Sequence, residues 1–80
     1  MKVFVLEESF ISYVGYEFDY TRINSVYSTM EGAQKSVEKL IAELIAENGG
    51  EVSESSDNYA IIDTDHGTIE FAINEQEVLA

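Results

Sequence analysis

The spacing of apolar side chains changes period twice along this chain. Between Ser28 and Asn48 the residues Met30, Ala33, Val37, Leu40, Ile41, Leu44 and Ile45 recur three and four positions apart. That lines them up on one face of a helix with about 3.6 residues per turn. Glu31, Gln34, Lys35, Glu38, Lys39, Glu43 and Glu47 fall on the opposite face. Ser28 followed by Glu31 fits a capping box, in which hydroxyl and carboxylate each satisfy a backbone N–H left free by the first turn. Gly49 and Gly50 supply the stop, because glycine accepts the left-handed backbone that ends a helix. The apolar stripe is the expected lid of the fold. Each large side chain buried on it contributes about 1.5–3 kcal/mol before chain entropy is subtracted.

On either side of this helix the period is two. Residues 2–8 predict a strand with Val3 and Val5 facing one way and Phe4 and Leu6 the other. Apolar residues on both sides mark a central strand, or a sheet whose second face another molecule covers. Ser9 to Tyr16 is compatible with an extension of that strand and a turn near Gly15. Tyr16, Phe18 and Tyr20 then alternate with Glu17, Asp19 and Thr21, predicting a half-buried strand that runs through Ile23 and Val26 to Tyr27, with a bulge around Asn24-Ser25. After the helix come a short strand from Glu51 to Glu54, turn chemistry at Ser55-Ser56-Asp57-Asn58 and a strand from Tyr59 to Ile62. Asp63 to Gly67 is a tight connection, with Gly67 available for positive φ. Thr68 to Ile73 follows with Ile69, Phe71 and Ile73 inward, and Asn74 to Ala80 reads as a frayed tail or one helical turn. The order is ββαβββ. It predicts an α+β fold, an antiparallel sheet of four to five strands with one amphipathic helix across one face. On the bare face, side chains such as Phe4 or Phe10 would need solvent tolerance, a dimer mate or a partner.

At 80 residues the chain makes one domain, 1–80, with a small core, since only about 60% of the unfolded surface can be buried at this size. Cysteine is absent. That removes disulfides and thiolate metal sites and fits a reducing cytoplasm. Val3 to Leu6 begins like a leader peptide but meets Glu7 and Glu8, short of the roughly 7–15 apolar residues a secretory segment needs. No run approaches the ~18 apolar residues of a membrane span.

Charge changes the picture more than composition does. The net charge is −12, and residues 40–80 hold ten acids and no base, whereas residues 1–39 hold six acids and all four bases. Such asymmetry points to an interaction surface. It argues against direct nucleic-acid binding, which needs Lys and Arg to displace counterions, and against anionic membrane surfaces. A basic partner is the natural complement. Glu43 and Glu47 stand near the helix C-terminus, where the macrodipole disfavours each carboxylate by about 0.3–1 kcal/mol, and they are like charges four apart. Glu51, Glu54 and Asp57 continue the run, followed by Asp63 and Asp65. These seven acids are the candidate partner-binding residues, with Tyr13, beside Gly15, as a secondary contact.

Other chemistry is sparse. His66 is the only histidine, and beside Asp63 and Asp65 it reads more readily as a turn residue among turn-forming aspartates than as a general base or metal ligand. Nothing in the sequence marks a nucleophile for it, so no catalytic residues are assigned and a non-catalytic protein is expected. Asp63-Thr64-Asp65-His66-Gly67 opens like a calcium loop. The glycine arrives a position early and Asn74 stands where the closing glutamate belongs, so neither metal nor cofactor is expected. Phe10, Tyr13, Tyr16, Phe18, Tyr20 and Tyr27 could form a binding platform, although strict alternation favours ordinary sheet packing.

The segment Ile23-Asn24-Ser25-Val26-Tyr27-Ser28-Thr29-Met30-Glu31-Gly32-Ala33, preceded by Val3-Phe4-Val5-Leu6, resembles a group of small uncharacterised bacterial and phage domains in which a hairpin launches a helix. Ser25 stands where those domains usually have glycine, and the likeness carries no activity with it. In size, acidity and mixed α/β pattern the chain is also similar to phage-encoded inhibitors, among them anti-restriction and anti-CRISPR proteins that mimic DNA. That second resemblance implies a viral, cytoplasmic protein that uses a carboxylate-rich surface to block a basic, nucleic-acid-binding protein. The alternative is a structural or regulatory homodimer, paired through the uncovered sheet face.

Overall fold

Lys2 to Ser12 has apolar side chains on both faces and no proline or glycine, and it forms one long strand, β1. A computed structural model describes residues 1–12 and 19–79 of the chain. In it β2 (Tyr20–Tyr27), α1 (Met30–Asn48), β3 (Glu51–Ser55), β4 (Tyr59–Asp63) and β5 (Gly67–Glu77) follow β1, the expected ββαβββ order. The five strands form one sheet in the order β2-β1-β5-β4-β3, and every pair is antiparallel. The last strand therefore inserts at the centre, and α1 carries the chain across one face from the β2 edge to the β3 edge. Sheet and helix make two layers within 43 × 25 × 18 Å.

The core lies between those layers. Leu6, Ala60, Ile62, Phe71 and Ile73 of the sheet are buried against Ala33 and Val37 of α1, with Phe4, Tyr27, Met30, Leu40, Ile41, Leu44 and Ile69 packed around them. Leu6 opposes Ile73, Ala60 opposes Phe71 and Ile62 opposes Ile69, so period-two alternation brings one apolar set to one face. The Tyr27 hydroxyl donates to Ser36 of α1 and accepts from Ser25, pinning the end of β2 to the helix.

Several expectations are corrected. Thr29, not Ser28, is the N-cap: its hydroxyl accepts the Gly32 N–H at 3.0 Å. Glycine at that third position has no side chain to reach back, so there is no capping box, and Glu31 stands in the first turn instead. The stop is as expected, with Gly49 at φ 70 donating its N–H to Ile45. The tail is strand, not fray or helix, as far as Glu77, because Lys2 to Leu6 leaves an edge that residues 73–77 pair with. Gly67 does not take positive φ, which only Gly49 and Gly50 do among the described residues. Thr64 makes the β4–β5 turn instead: its hydroxyl donates to the Gly67 carbonyl and accepts the N–H groups of His66 and Gly67. Gly67 is glycine for closeness, since a Cβ there would stand 2.3 Å from the Ile11 carbonyl oxygen and 2.9 Å from the Phe10 ring.

Phe4 and Phe10 are on the helix side of the sheet. Phe4 packs on the core, and Phe10 stacks on Tyr20 with ring centroids 5.7 Å apart. The bulge falls where expected. Leu6 pairs with Ser25 and Glu7 with Ile23, leaving Asn24 as the extra residue. Tyr16 and Phe18 lie outside the described residues.

Candidate functional site

Two adjacent glutamates on β1 illustrate what the sheet does with charge. Strand alternation sends Glu8 to the helix side and Glu7 to the opposite side. Glu8 is 6% exposed. Its carboxylate accepts from the Tyr20 hydroxyl at 2.7 Å, from Arg22 at 2.8 and 3.1 Å, and from the Asn24 amide at 3.3 Å. Asn24 reaches it because the bulge adds a residue to β2 and re-aims the local side chains. Arg22 also lies over the Tyr20 ring, 5.0 Å from its centroid. Burial holds the Tyr20 phenol above its ordinary range, reinforced by its hydrogen bond to Glu8 and that carboxylate's charge, while Arg22 opposes. A hollow of about 230 Å³ separates this cluster from α1, walled by Leu40, Glu43, Leu44 and Glu47. Both carboxylate oxygens of Glu8 are engaged, so the group anchors β2 to β1. Sequence reading missed this cluster. The available signal was an acid at an apolar-face position of β1, set against the chain's single arginine on the neighbouring strand.

The predicted acidic set does not gather on one surface. Glu43 and Glu47 are exposed on the flank of α1 that overlooks Arg22 and Glu8. Asp57 is in the β3–β4 turn on the other flank, where its carbonyl accepts from Gln34 at 2.9 Å. Glu51 and Glu54 pair opposite Asp63 and Ile61 on the side of the sheet away from the helix. Asp63 there accepts from Thr68 at 3.1 Å and Glu54 from Tyr59 at 2.6 Å. The Glu54 hydrogen bond, some burial and the charges of Glu54 and Glu70 hold the Tyr59 phenol above its ordinary range. Asp65 is exposed in the β4–β5 turn beside His66, and Tyr13 lies outside the described residues. Among the described residues, no ion pair reaches any of the seven acids, and no group of three His, Asp or Glu side chains is placed to hold a metal.

The bare side of the sheet carries its own pattern. Register places Val3, Val5, Glu7, Ser9 and Ile11 of β1 there, with Val26, Ile23 and Thr21 of β2. Ala72 and Glu70 of β5, Tyr59, Ile61 and Asp63 of β4 and Glu51 and Glu54 of β3 share it. Ile11, Ile23 and Val26 are more than half exposed, at 56%, 64% and 54%. Glu7 and Glu70 are diagonal neighbours on two inner strands and make no side-chain hydrogen bond or ion pair among the described residues. All four bases lie elsewhere: Lys2 and Arg22 pair with Glu75 and Glu8 on the helix side, and Lys35 and Lys39 are on α1.

Among the described residues, no helix is long and apolar enough to cross a membrane. No protein-family model, curated protein or solved structure matches this chain.

Proposed function

We propose that this chain is a non-catalytic acidic binding protein, a phage-encoded inhibitor of the DNA-mimic or anti-CRISPR kind. It acts in the host cytoplasm by occupying the basic surface of a nucleic-acid-handling protein. One observation carries the reading: ten acids in residues 40–80 have no base among them, and among the described residues only Glu75 and Glu77 of that half join an ion pair, with Lys2 and the amino terminus. Spaced carboxylates imitate phosphates, and such binding is electrostatically steered and screened by salt over about 8 Å at physiological ionic strength. Reversal of Glu43, Glu47, Glu51 and Glu54 together to lysine is the test, because all four are exposed. A basic partner should be recovered from source cells at low salt, released at high salt, prevented from binding nucleic acid by this chain, and lost to the reversed variant. Indifference to both salt and reversal would overturn the reading.

A second reading is favoured by the exposure of Ile11, Ile23 and Val26: a structural or regulatory homodimer paired through the bare sheet face. Sedimentation separates the two, since a sheet-face dimer persists at high salt.

A further inference from the structure

The bare sheet face combines two features that singly mean little. Isolated exposed apolar side chains are ordinary on a protein surface. Here they form a connected set. Val5 pairs with Val26, and the next row across the sheet runs Ile23, Glu7, Ala72, Tyr59. The row after that runs Thr21, Ser9, Glu70, Ile61, Glu54. At the Ser12 end of β1 a hollow of about 700 Å³ is walled by Ser9, Thr21, Ile61 and Glu70 of this face together with Phe10 and Tyr20 of the other.

The second feature is the sign of the charge. Five carboxylates, Glu7, Glu51, Glu54, Asp63 and Glu70, stand in or around the apolar rows, and none of the four bases shares the face. Glu7 is half-buried between Ile23 and Ala72 yet has no donor among the described residues, although its neighbour Glu8 has three side chains donating to it. Like charges on neighbouring strands oppose each other. A second copy of this chain would bring five more carboxylates against these five, and nucleic acid or anionic lipid would meet the same repulsion. A partner with both apolar and cationic side chains answers both features: it buries the valines and isoleucines and supplies the donors that Glu7 and Glu70 lack.

We infer that the bare face of the sheet, centred on Val5, Glu7, Ile23, Val26 and Glu70, is the docking surface for a basic amphipathic segment of a protein partner. The inference rests on the acidic-binder reading and assigns its contact to this face, away from the helix flank that bears Glu43 and Glu47.

The probe is a synthetic amphipathic peptide with leucine at helical spacing and lysine elsewhere, titrated into the isotope-labelled protein and followed by amide chemical shifts. A polylysine peptide of equal charge and a glutamate–leucine peptide serve as controls. Shifts should concentrate at Val5, Glu7, Ile23, Val26 and Glu70. Affinity should fall about tenfold or more in the double variant Glu7→Gln/Glu70→Gln and again in Ile23→Ser/Val26→Ser, which act on the two halves of the recognition separately. Polylysine should bind more weakly than the amphipathic peptide, and the acidic peptide should not bind. Circular dichroism of the variants confirms that the fold is kept. Perturbation at Glu43 and Glu47 with both double variants binding normally would overturn this surface while leaving the acidic binder standing. No binding by either basic peptide would overturn both. A dimer of the protein alone, abolished by Ile23→Ser/Val26→Ser, would overturn the inference in favour of a second copy.

Discussion

The two faces of this sheet are made from the same strands and treat the same chemistry in opposite ways. On the helix side Leu6 and Ile62 are fully buried, and both carboxylate oxygens of Glu8 are bonded, by Tyr20, Arg22 and Asn24. On the bare side Ile23 and Val26 meet solvent, and Glu7 and Glu70 have no donor among the described residues. Desolvation explains the difference. A carboxylate taken out of water costs several kcal/mol unless it is paired and hydrogen-bonded, so a covered face must solve that problem internally. A face that keeps its water can leave the donors to another molecule. Strand alternation distributes the charges accordingly, since the single arginine and Lys2 both fall on the covered side.

The two faces should contribute very unequally to stability. Leu6→Ala and Ile62→Ala remove fully buried side chains and should each cost about 2–5 kcal/mol in urea unfolding, enough to unfold much of so small a domain. Leu40→Ala and Leu44→Ala, on half-buried helix positions, should cost less. Ile23→Ala and Val26→Ala should lie within about 0.5 kcal/mol of the parent. Equal losses on the two faces would mean that the bare face is covered in solution.

Gly67→Ala comes next. Its new Cβ would meet the Ile11 carbonyl at 2.3 Å, so β1 and β5 must separate where they begin to pair. A cost of about 1–3 kcal/mol is expected from this overpacking, read as a lower melting temperature. An unchanged melting temperature would show that the two backbones are not in contact there.

The adjacent glutamates give a sharper contrast at smaller amplitude. Glu8→Gln should destabilise by about 1–3 kcal/mol, because the amide places a donor against the donors of Tyr20, Arg22 and Asn24. Glu7→Gln should be neutral or stabilising, since it removes one of two neighbouring unanswered charges. Urea unfolding of the pair decides it, and equal costs would erase the distinction between the faces.

The smallest effect is alkaline. Burial, the bond to Glu8 and its charge raise the folded-state pKa of Tyr20 above the ordinary value of 10.0. The native state thus holds its proton more tightly than the unfolded chain does. The associated stability is fully present below about pH 10 and is lost as pH rises through the higher folded value. Thermal melts across that window should fall with pH in the parent and fall less steeply in Tyr20→Phe. Parallel curves would mean that the phenol is not bonded to Glu8.

How much of this could be read from the residues alone differs by element. The apolar stripe of α1, its Gly49 stop, the inward set Ile69, Phe71 and Ile73 and the bulge at Asn24 were all legible, because each follows from local spacing or from a backbone preference. Residues 74–77 were not, because polar Asn74, Glu75, Gln76 and Glu77 form strand by pairing with Lys2 to Val5, more than 60 positions away. The role of Gly67 was misread for a similar reason. A turn glycine and a glycine needed for close approach look the same until the second strand is in place.

For the candidate site the division is just as physical. Sequence determined the number of carboxylates, their concentration after residue 40 and the shortage of bases, since these are properties of composition. Tertiary structure decided where each one faces. The alternation of β1 parts Glu7 from Glu8, the crossing of α1 parts Glu43 and Glu47 from Glu51 and Glu54, and the insertion of β5 at the centre sets Glu70 beside Glu7. A charge pattern is written locally. A surface is made by strands that meet across the whole length of the chain, and only their register says which charges share it.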